Sequence, residues 1–444
     1  MKKLPLYLYL LIAFLIPHIR WISPIYSKQW VYGMPFYAGV ALCFMFPLFF
    51  QWLPRWRLFG FVATTAVVGY IIFIHNFDIK YAIPGSYMFF LLIGMPIVGL
   101  GAPLVLTAME DPRFARKVLI VLSASCLLQV VFMSIETNHT DLLFLVRPNS
   151  EGTQTEWWFA NRFGSNRAMY TLTDPMSAGA WAWFTGITLI VLSPLAKVKP
   201  WQRSAFVVIG TLTISSIVFT VSRGPAIVSV ISLLILIPCM LHTTRRRFLA
   251  LLSITGTIIV IVLSIILVFF YDRPLFESVT QISSQALGRD EDGNAGRIDV
   301  WAEGVKILSD LHWRGAGLHT ISFLWEQRDE NFEDTYLTII YATGISGLIY
   351  SIILIVVWSI QTCRLGFRLY FTRDRGPQRL LCLAWAAGWL PYTFIFPCFR
   401  AIDCAFITCS ILGSLYFYET LGNPDAVSTA SHSISRRKFV SAET

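Results

Sequence analysis

Twelve stretches of the chain read as apolar spans: residues 4–19, 31–53, 58–75, 82–107, 118–135, 175–195, 204–221, 225–242, 248–271, 335–361, 380–398 and 402–419. A hydrocarbon core of roughly 30 Å is crossed by about 20 apolar residues in helical form. The pattern therefore predicts an all-α, polytopic membrane protein with about 12 transmembrane helices. The first run follows Lys2-Lys3 and so looks like a signal peptide. It has no small-x-small cleavage site and ends in Pro17-His18-Ile19-Arg20-Trp21, so it is expected to stay as the first span.

Two polar stretches interrupt this pattern, residues 136–174 and 272–334. The second runs for 63 residues and holds 6 of the chain's 35 basic residues and 13 of its 26 acidic ones. Burying such charges in hydrocarbon is costly, so both loops belong in water or against headgroups. No internal repeat and no soluble domain boundary is visible. Residues 1–422 read as one transmembrane domain with external loops 136–174 and 272–334. Residues 423–444, rich in Ser and Thr and carrying Arg436-Arg437-Lys438, read as a disordered cytoplasmic tail whose basic cluster suits anionic lipid.

Charge orients the spans. With the N-terminus in the cytoplasm, the inner segments carry 21 basic and 6 acidic residues, and the outer ones 14 and 20. Every short inner loop is then basic, as the positive-inside rule asks. Both termini fall in the cytoplasm and both long loops on the other side. The net charge of +9 is thus a matter of topology and not a nucleic-acid footprint. Eight cysteines are scattered without a CxxC or a Cys/His cluster, which argues against a disulfide framework or a zinc site. Cys398 and Cys404 fall near one surface, where packing is the expected role.

No Asp, Glu, Lys or Arg lies near the middle of a span, where ion-coupled transporters place ionisable groups. A transporter or flippase with an uncharged polar pathway stays as an alternative. There is no P-loop, dinucleotide turn or HExxH. Candidate chemistry gathers at the outer ends of helices. In the first loop Trp157 and Trp158 precede Arg162 and Arg167; they read either as interface anchors or as a stacking platform for sugar rings. Asp174-Pro175 makes a good helix start, with Asp as N-cap and Pro at the first helical position. Arg223, between Ser222 and Gly224, either snorkels to headgroups or points inward to hold a pyrophosphate, a task suited to its planar, permanently charged fork.

In the long loop, Ile298, Trp301, Val305 and Leu308 share one helical face and predict an amphipathic helix with Arg297 at its start. Gly315-Ala316-Gly317 is a glycine-rich turn. His312 and His319 have no partner spacing and read as ordinary loop residues. Glu333-Asp334 precede Tyr336-Leu337 at the return to the membrane. That acidic pair reads as an N-cap of the next span, as a general base, or as one of each.

These landmarks together resemble the O-antigen ligase / polysaccharide polymerase superfamily of bacterial envelopes. The similar features are Arg167 upstream of Asp174-Pro175, Ser222-Arg223-Gly224 between spans, and Gly296-Arg297 with Trp301 before Gly315 and Gly317. Tyr336-Leu337 with Gly344 and Gly347 downstream completes the set. The resemblance covers residues 162–348. It implies metal-independent, inverting glycosyl transfer at the periplasmic face of the inner membrane, from a glycan on undecaprenyl pyrophosphate and without a cofactor. Arg223, Arg297 and Arg167, with Arg162 and Arg289 behind them, would bind pyrophosphate. Glu333 or Asp334 would be the catalytic base. Tyr336, Trp157 and Trp158 would line the sugar site.

Ligase-like members usually carry a His before x-Tyr-Leu, where this chain has Glu333-Asp334. That departure favours a polymerase of exopolysaccharide or O-antigen repeats over a ligase to lipid A core. The implied partners are lipid-linked donor and acceptor, membrane lipids and, for a polymerase, a chain-length regulator protein, with no nucleic acid.

Overall fold

The computed structural model describes residues 4–22, 33–51, 55–76, 80, 82–138, 168, 172, 175–220, 222–241, 306, 309, 314–318, 335–371, 376–394, 398–399 and 402–420. Among these, every regular element is helical. The first half comprises α1 (Leu4–Ile22), α2 (Gly33–Phe44), α3 (Arg55–Asn76), α4 (Ala82–Phe89), α5 (Met95–Gly99), α6 (Gly101–Ala108) and α7 (Pro112–Asn138). The second comprises α8 (Pro175–Leu192), α9 (Pro200–Ser215), α10 (Arg223–Leu241), α11 (Thr335–Thr343), α12 (Ile345–Phe371), α13 (Pro377–Thr393) and α14 (Ile402–Thr420). Proline marks several starts, at Pro112, Pro175, Pro200 and Pro377. Its missing N–H costs nothing at a first helical position and its fixed φ suits the helix.

Five helices are long and apolar enough to cross a membrane: Ser86–Ala108, Pro112–Thr137, Pro175–Ala196, Pro200–Thr220 and Ile345–Leu369. Shorter apolar helices occupy Leu4–His18, Gly60–Ile74, Gly224–Leu236 and Ile402–Tyr418. The expected span 248–271, most of both polar loops and the C-terminal tail lie outside the described residues. Two of these long helices, Pro112–Thr137 and Ile345–Leu369, wear most of their apolar residues outward. On α12, Ile345, Ile349, Ile352, Ile353, Val356 and Ile360 are exposed, while Trp358 on the opposite side is buried. In water such a surface would be a large apolar patch; in lipid it is solvated. The protein is an integral membrane protein.

Among the described residues, the expected spans 82–107 and 335–361 are interrupted. The run 82–107 contains a π-helical turn, Phe90–Gly94, just ahead of Pro96. A wider turn absorbs the hydrogen bond that Pro96 is unable to donate. The run 335–361 is broken at Gly344, whose φ of 64° closes α11 in the left-handed region. The 25 residues of Ile345–Leu369 extend about 37 Å and span the core unaided. The nine-residue α11 is thus a separate element and not the start of that crossing.

The core is aromatic, and the indole N–H groups of Trp183, Trp358 and Trp389 are paired across helices, whereas that of Trp385 has no acceptor among the described residues. Trp183 of α8 stacks on Trp389 of α13 at 5.3 Å and 7°. Its indole N–H donates to Ser232 Oγ (3.0 Å), which donates to the Ala384 carbonyl (2.9 Å). Trp389 donates to Thr408 Oγ1 (2.8 Å), and Trp358 to the Ala386 carbonyl (3.1 Å). Away from water these partners spare each N–H its desolvation cost. Close approach relies on small residues: a Cβ on Gly186 would lie 2.7 Å from the Gly210 carbonyl oxygen, and one on Gly210 equally near that of Gly186. Gly210→Leu is therefore expected to force α8 and α9 apart at about 1–3 kcal/mol. Size-exclusion profiles in mild detergent check this as a loss of the monodisperse peak.

Candidate functional site

One end of the bundle gathers the starts of α8, α10, α11 and α14 with the ends of the Ser216–Thr220 turn and α13. Gly179 of α8 faces Pro225 of α10, where an added Cβ would come within 2.8 Å of the proline ring. Ser177 Oγ and Cys404 Sγ lie 3.4 Å apart, joining the starts of α8 and α14. Tyr392 near the end of α13 donates to the Met176 carbonyl (3.2 Å). Ala168 N–H donates to the Phe219 carbonyl (2.8 Å), so the residue after Arg167 is docked four residues before Arg223. Two buried carboxylates border this end, Glu136 near the end of α7 and Asp403 in the first turn of α14. The Asp403 carboxylate accepts from Cys404 N–H at 2.7 Å.

Both ends of α11 are held, the start by the end of α13 and the residues after it, the end by the long loop. At its start, Cys398 N–H donates to Thr335 Oγ1 (2.8 Å), and the hydroxyls of Tyr336 and Thr393 are 2.7 Å apart. The Tyr336 ring lies 4.8 Å from that of Phe394. At its end, the N–H groups of Ala316 and Gly317 donate to the carbonyls of Tyr341 (2.8 Å) and Ala342 (2.9 Å). Helix ends leave their last carbonyls unsatisfied, and here the glycine-rich turn supplies the donors. Gly315 and Gly317 reach them with φ of 85° and 103°, values that only glycine adopts without strain.

Of the expected site residues, Tyr336 is buried, 5% exposed, with its hydroxyl engaged by Thr393. Its observed contacts position the α11 start. Arg223 opens α10. Its side chain, and Arg162, Arg167, Arg289, Arg297, Glu333, Asp334, Trp157 and Trp158, lie outside the described residues. Of the expected lid helix, Lys306 and Ser309 are helical and exposed. Among the described residues Cys398 and Cys404 are both buried and in no disulfide. Reading the sequence passed over Asp403; its signal is a lone acid in the first turn of an otherwise apolar run. The Cys398 N–H bond to the Thr335 hydroxyl and the Tyr336–Thr393 hydroxyl pair join residues far apart in sequence and leave no local signal.

Residues 205–352 match a family model described as O-antigen ligase. Over this segment the chain is similar to the O-antigen ligase / polysaccharide polymerase superfamily. The matched stretch runs from α9 through α10 and α11 into α12. It therefore contains Ser222-Arg223-Gly224, the long loop and the Gly315–Gly317 turn. No curated protein matches the chain in sequence. That similarity supports a membrane enzyme of the O-antigen ligase/polymerase type.

Tyr336→Phe removes one interhelical hydrogen bond, worth about 0.6 kcal/mol on average inside membrane proteins. The expected result is a small drop in thermal midpoint in detergent with glycan synthesis largely kept, read by a thermal shift assay and a glycan gel.

Proposed function

We propose that this protein polymerises oligosaccharide repeat units carried on undecaprenyl pyrophosphate, for exopolysaccharide or O-antigen, at the periplasmic face of the inner membrane. Both termini then lie in the cytoplasm. The observation that carries the reading is the convergence of four helix N-termini, those of α8, α10, α11 and α14. Each helix start carries about half a positive charge, a favourable setting for a pyrophosphate. Arg223 opens one of those helices. Arg167 precedes the docked Ala168 by one residue, within about 3.8 Å of backbone.

In this proposal the acceptor hydroxyl attacks the anomeric carbon of the donor glycan. The carbon–oxygen bond to pyrophosphate breaks with inversion, and the lipid pyrophosphate leaves with the electron pair. Arg223, Arg297 and Arg167 meet the charge developing on the leaving group, with Arg162 and Arg289 supporting them. Glu333 or Asp334, one or two residues ahead of the anchored Thr335, takes the hydroxyl proton. Trp157 and Trp158 offer faces for sugar stacking. No metal is required where guanidinium groups and helix ends supply the positive charge. A chain-length regulator is the protein partner this reading expects.

A ligase reading is favoured by the description of the matched family model, and the carboxylate pair in place of histidine weighs for the polymerase. A flippase is the second alternative. A deletion strain separates them. Accumulated single repeats on lipid, without long chains, support polymerisation. Full-length chains stranded on the carrier indicate a ligase, and repeats held on the cytoplasmic leaflet indicate a flippase.

A further inference from the structure

At the opposite end of the bundle a cavity of about 960 Å³ opens between α1, α6, α7 and α8. Its walls are apolar, with Leu10, Leu122, Phe184 and Phe406 among them. Tyr7, Leu11 and Val121 line it and are themselves about half exposed, so the cavity opens sideways toward lipid as well. Charged residues line only its mouth: Arg113, Lys117 and Asp111. Asp111 Oδ1 accepts from the Arg113 backbone N–H (3.0 Å), which commits that carboxylate to the turn opening α7. The two cations remain exposed.

The spacing along α7 sorts headgroup from tail. Arg113, Lys117, Val121 and Ser125 follow one another at four-residue intervals on a single face. From Lys117 to Ser125 the helix climbs about 12 Å, close to the roughly 15 Å depth of one leaflet's hydrocarbon. The groove is thus cationic at one rim and apolar for one leaflet's depth. We infer that it is a binding site for one anionic phospholipid of the leaflet on the Arg113 side. The phosphate would sit between Arg113 and Lys117, and acyl chain would fill the space between α1 and α7. Charge complementarity selects the anionic class, since basic side chains at a membrane surface favour acidic headgroups. This site is separate from the proposed catalytic end and does not depend on that proposal.

The test uses the full chain in nanodiscs holding phosphatidylglycerol and phosphatidylcholine in equal parts, released for native mass spectrometry. Wild type is expected to keep phosphatidylglycerol in about tenfold excess, two cations each contributing a few-fold. The double variant Arg113→Glu, Lys117→Glu should fall to parity. Val121→Trp, which fills the groove while keeping both cations, should lose bound lipid of either kind. Arg116→Glu, an exposed change on the same helix but outside the cavity lining, should keep the excess. Equal retention of the two lipids by wild type would overturn the proposal. So would loss of selectivity in the Arg116 variant, which reports only bulk surface charge. Complete displacement of phosphatidylglycerol by stoichiometric polyprenyl phosphate would reassign the groove to a carrier lipid and equally end the phospholipid reading.

Discussion

Arg223→Ala is expected to abolish long-chain glycan while leaving a folded, membrane-inserted protein. Arg223 is the first residue of α10, held where Thr220 and Pro225 both face Gly179. Alanine is a good helix former, so the backbone there has no reason to rearrange. What disappears is a planar cation aimed, in this account, at the leaving pyrophosphate. Loss of one electrostatic donor to a developing charge typically costs 10²–10³ in rate. A glycan built by repeated transfers then shrinks to single repeats. Arg297→Ala carries the same expectation. Arg223→Lys should restore only part of the product, because an ammonium keeps charge but not the two-pronged hydrogen bonding of a guanidinium. A glycan gel of the complemented deletion strain reads all three. Wild-type chain lengths from either alanine variant would remove that arginine from the site.

Gly315→Val is the second large effect, and it acts through backbone geometry. Gly315 has φ of 85°, and a Cβ there would lie 2.6 Å from the Gly344 nitrogen and 2.7 Å from the Ala342 carbonyl oxygen. A left-handed conformation alone costs roughly 1–2 kcal/mol for a residue with a side chain, and the clash with fixed backbone adds to it. Relief means lifting the turn, which breaks the hydrogen bonds of Ala316 and Gly317 to the carbonyls of Tyr341 and Ala342. The loop would then lose its anchor at the far end of α11, and glycan synthesis should fall to background. Hydrogen exchange should rise in residues 335–343, while α8 and α9 keep their protection. Unchanged exchange with full activity would show that the docked turn is dispensable.

The helices were legible in the chain because lipid allows few solutions. Runs such as 4–19, 118–135 and 402–419 each coincide with a helix, since apolar length and backbone satisfaction point the same way. Hydropathy was blind to the break at Gly344, where tyrosine, alanine and isoleucine continue the apolar run across a left-handed residue. It was equally blind to the π-turn at Phe90–Gly94, which depends on Pro96 lying inside the span. At the site, the glycine turn and the Ser222-Arg223-Gly224 link were visible because glycine and arginine stand out against apolar surroundings. The hydroxyl pairings of Thr335 and Tyr336, and the buried Asp403, were not visible. They are made by tertiary contact between segments 57 and 63 residues apart or by burial that a single charge does not announce.

The central claim is glycosyl transfer between lipid-linked repeats without a metal. Its most direct test is the purified protein in liposomes with lipid-linked single repeats and excess EDTA, the glycans then released and sized. The account predicts a ladder of longer chains with one undecaprenyl pyrophosphate freed per added repeat, absent with Arg223→Ala. Repeats that stay at unit length beside functional, folded protein, or that lengthen only when a divalent metal is returned, would contradict it.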